Sequence, residues 1–354
     1  MFHSWMIGSG LAFSAGAAVY SVVALAAVFT RSRPVDAALR PTAAAKLPSV
    51  TIFKPLCGAE PETYECLRSF CDQDYPEFQV VFGVADVNDP VVPIIERLQA
   101  EFPARDLQLV VDRRQHGTSR KVSNLVNMLP AARHDYFVIA DSDVRVERDY
   151  LSRIVAPLED EAVGIVTCAY RGVPRSGVWS LLGSQFINEW FIPSVRVAAL
   201  GGSRAFAFGV TIAMSRRVLC RIGGFMAIVN QLADDYRLGE LTRNLGLRTV
   251  LSDVVVETFV AESSLAELVG EGAAVVHKRF TAGDNGHAAG VGGSGSYQFG
   301  YGITGVAAGL PAIFDVAPDA TDVAAAQSDE PGGLSLMEAF PLEGVELFHD
   351  REGG

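Results

Sequence analysis

Cysteine is scarce in this chain and poorly spaced for chemistry. The five residues Cys57, Cys66, Cys71, Cys168 and Cys220 form no C-x-x-C pair and no metal-finger spacing. That argues against a zinc site, a dithiol redox centre and a disulfide framework, and leaves reduced cytosolic thiols as the simplest reading. Positive charge is also in short supply, with 29 Lys and Arg against 41 Asp and Glu and a net charge of −12. Neutralising the phosphates of a nucleic acid takes clustered Lys and Arg, so a general nucleic-acid partner is not expected. The deficit is uneven. From Glu271 onward there are twelve acidic and three basic residues, so −9 of the −12 falls in that last part.

Charge is missing altogether from Trp5 to Thr30. Such a run exceeds the roughly 20 residues that cross a hydrocarbon core as a helix. Arg31, Arg33, Arg40 and Lys46 follow it and no Lys or Arg precedes it, which places the rest of the chain on the cytoplasmic side. A cleaved signal peptide needs a basic start, and here there is only His3,. The expectation is an uncleaved, single-pass transmembrane anchor over residues 1–30 and a membrane localisation. A hydrophobic content of 49% and a mean hydropathy of +0.24 agree with membrane contact. Residues 31–48 are Ala- and Pro-rich and read as a linker.

From residue 49 the pattern alternates. Val50–Phe53, Phe78–Val84, Leu107–Val111 and Tyr136–Ala140 read as strands, and Pro61–Cys71, Val91–Ala100 and Ser119–Leu129 as helices between them. This order predicts an α/β fold with a mostly parallel sheet and helices on both faces. In such sheets ligands gather at the carboxyl ends of the strands. Those ends are polar: Lys54 after the first strand, Asp86 and Asp89 after the second, Asp141 and Asp143 after the fourth. Carboxylates collected at one edge call for a cation or for hydrogen-bond donors, because burying an unpaired one costs several kcal/mol. Arg204–Met214 reads as a further buried strand, with Gly209 marking either a bulge or a close approach. Gln231 opens a helix reaching about Leu245, with Asp234 and Asp235 in a first turn where the helix dipole favours negative charge.

Six short blocks in this order resemble the ceramide glucosyltransferase family of GT-A nucleotide-sugar transferases, including its bacterial hopanoid-biosynthesis branch. They are Lys54-Pro-Leu-Cys-Gly58, Asp74-Tyr-Pro76, Val84-Ala-Asp-Val-Asn-Asp-Pro90, Arg120-Lys-Val-Ser-Asn-Leu125, Ala140-Asp-Ser-Asp-Val-Arg-Val146 and Ala233-Asp-Asp-Tyr236. The resemblance implies a GT-A catalytic domain over residues 49–262 and an inverting transfer of glucose or N-acetylglucosamine from a UDP-sugar donor to a hydroxyl of a lipid acceptor, a hopanoid or a ceramide. It implies that Asp86 faces the uracil, that Lys121 and Asn124 lie near the nucleotide, and that Asp141 and Asp143 hold a divalent cation, Mg2+ or Mn2+, on the diphosphate. Asp235 takes the place of the general base. Trp179, Phe186, Trp190 and Phe191 would line an acceptor groove or belong to the core.

Two features depart from the family. Its Arg/Gln-x-x-Arg-Trp block is missing, and beyond Gly270 the chain turns Gly/Ala-rich and acidic, with ten glycines between Thr281 and Leu310. Residues 263–354 therefore read as an atypical, linker-like tail. By codon degeneracy, Glu271–Val276 read one nucleotide later permits Arg-x-x-Arg-Trp, as a frameshift would produce. The alternatives are a catalytically impaired, membrane-tethered sugar-nucleotide-binding protein and a sugar nucleotidyltransferase. The latter usually shows a Gly-rich phosphate loop after its first strand, for which Lys54–Gly58 is a poor substitute.

Overall fold

The computed structural model describes residues 14–26, 47–175, 177–200, 207–231, 233–262 and 264. The tail from residue 265, with its proposed frame change, and most of the linker lie outside the described residues.

An eight-stranded sheet organises the chain in the order β3-β2-β1-β4-β7-β6-β8-β5. The strands are β1 (Val50–Pro55), β2 (Phe78–Val84), β3 (Asp106–Val111), β4 (Tyr136–Ala140), β5 (Val144–Arg145), β6 (Val163–Pro174), β7 (Thr211–Ser215) and β8 (Arg248–Val260). β1 runs parallel to both β2 and β4, and β2 parallel to β3. β7 is antiparallel to both of its neighbours, β4 and β6, while β6 and β8 are parallel to each other. Six strands thus point one way, β1 to β4 among them as the βα alternation predicts, and β5 and β7 run against them. Long β6 and β8 were not read from the sequence. They follow no short βα unit, and β8 pairs through a register shift next to Thr167 and Ala169.

The helices are α1 (the described residues 14–26), α2 (Thr63–Cys71), α3 (Val92–Glu101), α4 (Arg120–Met128), α5 (Tyr150–Val155), α6 (Gly177–Phe186), α7 (Ile192–Leu200), α8 (Arg216–Arg221) and α9 (Asp234–Asn244). Side chains alternate across the strands. Val50, Ile52, Val80, Phe82, Val138 and Ala140 pack on one face with Leu67 and Phe70 of α2, Ile95 of α3 and Leu151 of α5. Phe53, Val81, Phe137 and Ile139 pack on the other with Val122 and Leu125 of α4, Leu219 of α8 and Leu238 of α9. A residue period of two against two helical layers gives two cores, one on each face.

The expected transmembrane anchor is corrected. Among the described residues no helix is long and apolar enough to cross a membrane. Tyr20 of α1 instead stacks on Trp190, with ring centroids 5.9 Å apart, and its hydroxyl lies 2.9 Å from Ser194 Oγ. The single-pass topology, and the cytoplasmic placement inferred from it, fall with the anchor. Residues 1–13 and 27–30 of the expected span lie outside the described residues.

Two boundaries also move. β7 begins after Gly209, not at Arg204, because Phe208 to Val210 turn into the sheet edge; residues 204–206 are outside the described set. α9 begins at Asp234, three residues later than expected.

Candidate active site

The carboxyl end of β4 delivers Asp141, Ser142 and Asp143 to the sheet edge. Asp143 is buried, and its Oδ2 accepts a hydrogen bond from Thr258 Oγ1 of β8 at 2.5 Å. Burial first, and the neighbouring Asp141 second, push its carboxyl up to about 6. Asp141 lies between two ammonium groups. Lys121 Nζ reaches Asp141 Oδ1 at 2.5 Å, and Lys54 Nζ donates to the Asp141 main-chain carbonyl. Burial alone would lower the Lys121 ammonium, but Asp141, Asp234 and Asp235 outweigh it and hold it above the ordinary lysine range. Lys121 is presented by α4, whose first turn is capped by Ser119 Oγ accepting from Val122 N at 3.2 Å,.

The residues just ahead of antiparallel β7 bring a third acid, Asp235 of α9, to the same place. Asp141 N donates to Val210 O at 3.2 Å, and Gly209 N donates to Asp235 Oδ2 at 3.0 Å. Two consecutive residues therefore bridge the end of β4 to the first turn of α9. Asp235 Oδ1 also accepts from Tyr236 N at 2.8 Å. Lys121, Gly209, Asp234 and Asp235 line one narrow cavity with Ile139, Ile212 and Leu238. At Gly209 a Cβ would stand 3.0 Å from Asp235 Oδ2. The glycine marks a close approach, and what approaches is the Asp235 carboxylate.

Other expected residues sit differently. Asp86 is exposed beyond β2, its Oδ1 accepting from Asn88 N at 2.8 Å and Asn88 Nδ2 at 3.1 Å. β2 is two strands from β4, so Asp86 is about 10 Å along the same edge. Asp89 ties loops together: both its oxygens accept from Gly58 N, and Oδ1 also accepts from Val91 N. Asn124 turns its amide to Gly83 O at 2.8 Å, and its Oδ1 is buried without a hydrogen-bond partner. Of the expected aromatic groove, Phe191 is core, packed on Tyr170 and Phe208 at 4.3 and 5.3 Å between ring centroids.

Three participants were not found in the sequence. Thr258 lies on β8, an unread strand. Asn230 and Gly117 join the loops ahead of α9 and α4: Asn230 Oδ1 accepts from Thr118 N at 3.0 Å, and Ser119 N donates to Val229 O at 2.9 Å. Lys54 carried a visible signal, as the single charged residue in the strand Val-Thr-Ile-Phe-Lys-Pro.

A larger groove of about 390 Å³ lies between α2, β5 and β8. Its Arg68, Arg145, Arg148 and Arg171 are all engaged in ion pairs with Asp72, Glu101 or Glu257, and it contains none of the expected site residues. Among the described residues no three His, Cys, Asp or Glu cluster as a self-sufficient metal site. Asp141 and Asp143 together suit a hard cation of the Mg2+ or Mn2+ kind, which takes one or two carboxylates and completes its shell with phosphate oxygens and water.

Comparison with known proteins bears on the family and the fold. The family model described as "Glycosyl transferase family 21" matches residues 11–271. A ceramide glucosyltransferase of Komagataella phaffii is 36% identical over 113 residues, covering 31% of this chain and 22% of the relative. Ceramide glucosyltransferase 3 of Caenorhabditis elegans is 24% identical over 210 residues, covering 58% and 45%. The chain thus spans less than half the length of these relatives. Among solved structures, a mannosyltransferase from Pyrobaculum calidifontis in complex with GDP-Man and Mn2+ shares the mixed α/β GT-A-like fold, with a TM-score of 0.51, 22% identity and coverage of 85% of this chain and 86% of that one. These matches reach the wider ceramide glucosyltransferase relationship and do not single out a hopanoid-biosynthesis branch.

Proposed function

The chain belongs to glycosyl transferase family 21, and from that premise we propose that it transfers a sugar from a nucleoside-diphosphate donor, UDP-linked glucose or N-acetylglucosamine, to the hydroxyl of a lipid-like acceptor. The observation that carries this reading is the Gly209–Val210 bridge. It holds a cation-type acid pair and a separate carboxylate, Asp235, around one lysine.

Each part has a physical task. Asp141 and Asp143 would hold a divalent cation, which supplies charge neutralisation for the departing diphosphate. Lys121 adds a fixed positive charge beside the same phosphates, in a partly dry site where such a charge acts strongly. Asp86, about 10 Å along the edge, stands where the base of a nucleotide would lie if its diphosphate sits at β4. Asn124 shapes that floor by fastening α4 to β2. Asp235 comes from α9, and its oxygens are oriented by two backbone N–H groups. An inverting displacement needs a base facing the anomeric carbon from the side opposite the leaving group, to take the acceptor's proton. Asp235 fits that role better than a third cation ligand, because it belongs to a different element from the pair. The ceramide glucosyltransferase relatives favour a ceramide-type acceptor; a hopanoid hydroxyl rests on the sequence resemblance alone.

The test is a donor panel of UDP-glucose, UDP-N-acetylglucosamine and GDP-mannose with ceramide and hopanoid acceptors, the products read by mass with and without Mn2+. Transfer is expected from a UDP-sugar, lost on chelation. Asp235→Asn is expected to remove at least 10²-fold of turnover, as loss of a general base does, while UDP still binds. Full turnover by Asp235→Asn would discard the assignment of the base, and absence of any transfer or UDP binding by the wild type would discard the reading.

A further inference from the structure

The strand β1 ends an apolar run on a lysine that has no access to water. Lys54 is 0% exposed and projects on the same face as Val50 and Ile52, towards α2. Its Nζ stands 3.9 Å from the Phe70 ring centroid. The thiols of Cys66 and Cys71, also on α2, are pushed up to about 12, chiefly by burial, and stay neutral. The α2 side of the pocket therefore offers the ammonium an aromatic face and uncharged sulfur. On the other side its hydrogen bond goes to the main-chain carbonyl of Asp141, with the carboxylates of Asp143 and Asp141 near enough to act on it. A methionine would fill the same space without the desolvation cost of an ammonium. The charge is thus retained where its main beneficiary is the turn after β4.

We propose that Lys54 is a positioning residue for that turn: by holding the Asp141 carbonyl from beneath, it sets the direction in which Asp141 and Asp143 leave the sheet and lets two carboxylates stand side by side ready for a divalent cation. This rests on reading Asp141 and Asp143 as the cation-holding pair. Partners that orient a ligand without touching the metal commonly change metal affinity by about 10- to 100-fold when removed. Lys121 does not duplicate the role, since it bonds the Asp141 side chain from α4 and is partly exposed.

The experiment is a Mn2+ titration of the full chain in the presence of UDP, followed by the electron paramagnetic resonance of free Mn2+, with thermal unfolding recorded on each sample. Lys54→Met is expected to unfold cooperatively and to bind Mn2+ at least about tenfold more weakly. Phe70→Leu, which removes the aromatic face against the ammonium but keeps the ammonium and its hydrogen bond to the Asp141 carbonyl, is expected to lower the melting temperature and leave Mn2+ affinity within about twofold, well short of an orienting-partner effect. Wild-type affinity in folded Lys54→Met overturns the proposal, as does an equal loss in Phe70→Leu, which would make the effect one of packing. If Lys54→Met does not fold, Lys54→Gln decides on the same criterion, because its shorter, uncharged side chain ends short of the Asp141 carbonyl. A wild type that binds no Mn2+ with UDP present overturns the reading of the acid pair itself, a result distinct from equal binding by wild type and variant.

Discussion

Gly209 shows how far a single residue can be read. Its position in an apolar run implied either a bulge or a close approach, and the structure resolves the choice in favour of the Asp235 carboxylate. A methyl group there would meet Asp235 Oδ2 at 3.0 Å, so one of the two must shift by a few tenths of an ångström. Gly209→Ala is accordingly expected to leave the fold intact and donor KM nearly unchanged while lowering kcat several-fold, since a misplacement of about 1 Å costs about 10²-fold and this one is smaller. Steady-state kinetics check it. Asp143 supplies a second residue-scale prediction. Its folded-state carboxyl stands near 6, raised by burial and by Asp141, against about 3.9 when unfolded. An acid raised in this way binds its proton more tightly when folded. Its stabilising contribution is full below about pH 4 and is lost as pH rises through 6, at about 1.4 kcal/mol per pH unit crossed. The stability difference between wild type and Asp143→Asn, taken from urea unfolding, should therefore shift against the wild type between pH 4 and 6.5 and level off above. A difference that stays flat across this range would show that Asp143 binds its proton no more tightly in the fold than in the unfolded chain.

At the scale of elements, the site depends on how α4 and α9 are held together. Their leading loops meet at Gly117, where a Cβ would fall 2.4 Å from Asn230 Oδ1 and 2.8 Å from Val229 O. The second contact is backbone and cannot swing aside. Gly117→Ala is expected to cost about 1–3 kcal/mol, the usual penalty for forced overpacking, and to lower turnover because Lys121 and Asp235 lie just beyond the joint. Chemical denaturation with parallel kinetics measures both effects; a variant of wild-type stability would mean that the loops part easily. The parallel strands and their helices were legible in sequence because each unit repeats an apolar run, a turn and an amphipathic helix within about 30 residues. Ser119 at the start of α4 shows this, as a cap ahead of an apolar stripe. β6 and β8 gave no such signal. Their pairing joins residues some 80 positions apart and runs through an irregular register.

For the whole molecule, the family match ends at residue 271, and the resemblance to ceramide glucosyltransferases implies an Arg/Gln-x-x-Arg-Trp block just beyond. The nucleotide sequence across codons 271–276 is expected to read Arg-x-x-Arg-Trp one nucleotide on. A shifted frame without the tryptophan would make the tail the product of the intended frame. The uncharged run from Trp5 to Thr30 teaches the opposite lesson about reading ahead of structure. Composition alone implied a membrane span, whereas among the described residues no helix is long and apolar enough to cross a membrane, and Tyr20 of that run lies against Trp190 and Ser194.

Local pattern was enough to give the mostly parallel α/β core and to nominate the strand-end edge that carries Asp86, Asp141 and Asp143, because alternation and strand ends are short-range properties of a chain; the choice of Asp235 over Asp234 came from the family resemblance. Long-range placement decided the rest. Antiparallel β7 brought Gly209 and Val210 between two acids far apart in sequence, β8 set Thr258 on Asp143, and β1 buried Lys54 beneath Asp141. None of these contacts has a local signature, since each depends on which strand lies next to which, and that order follows from packing the two cores as a whole.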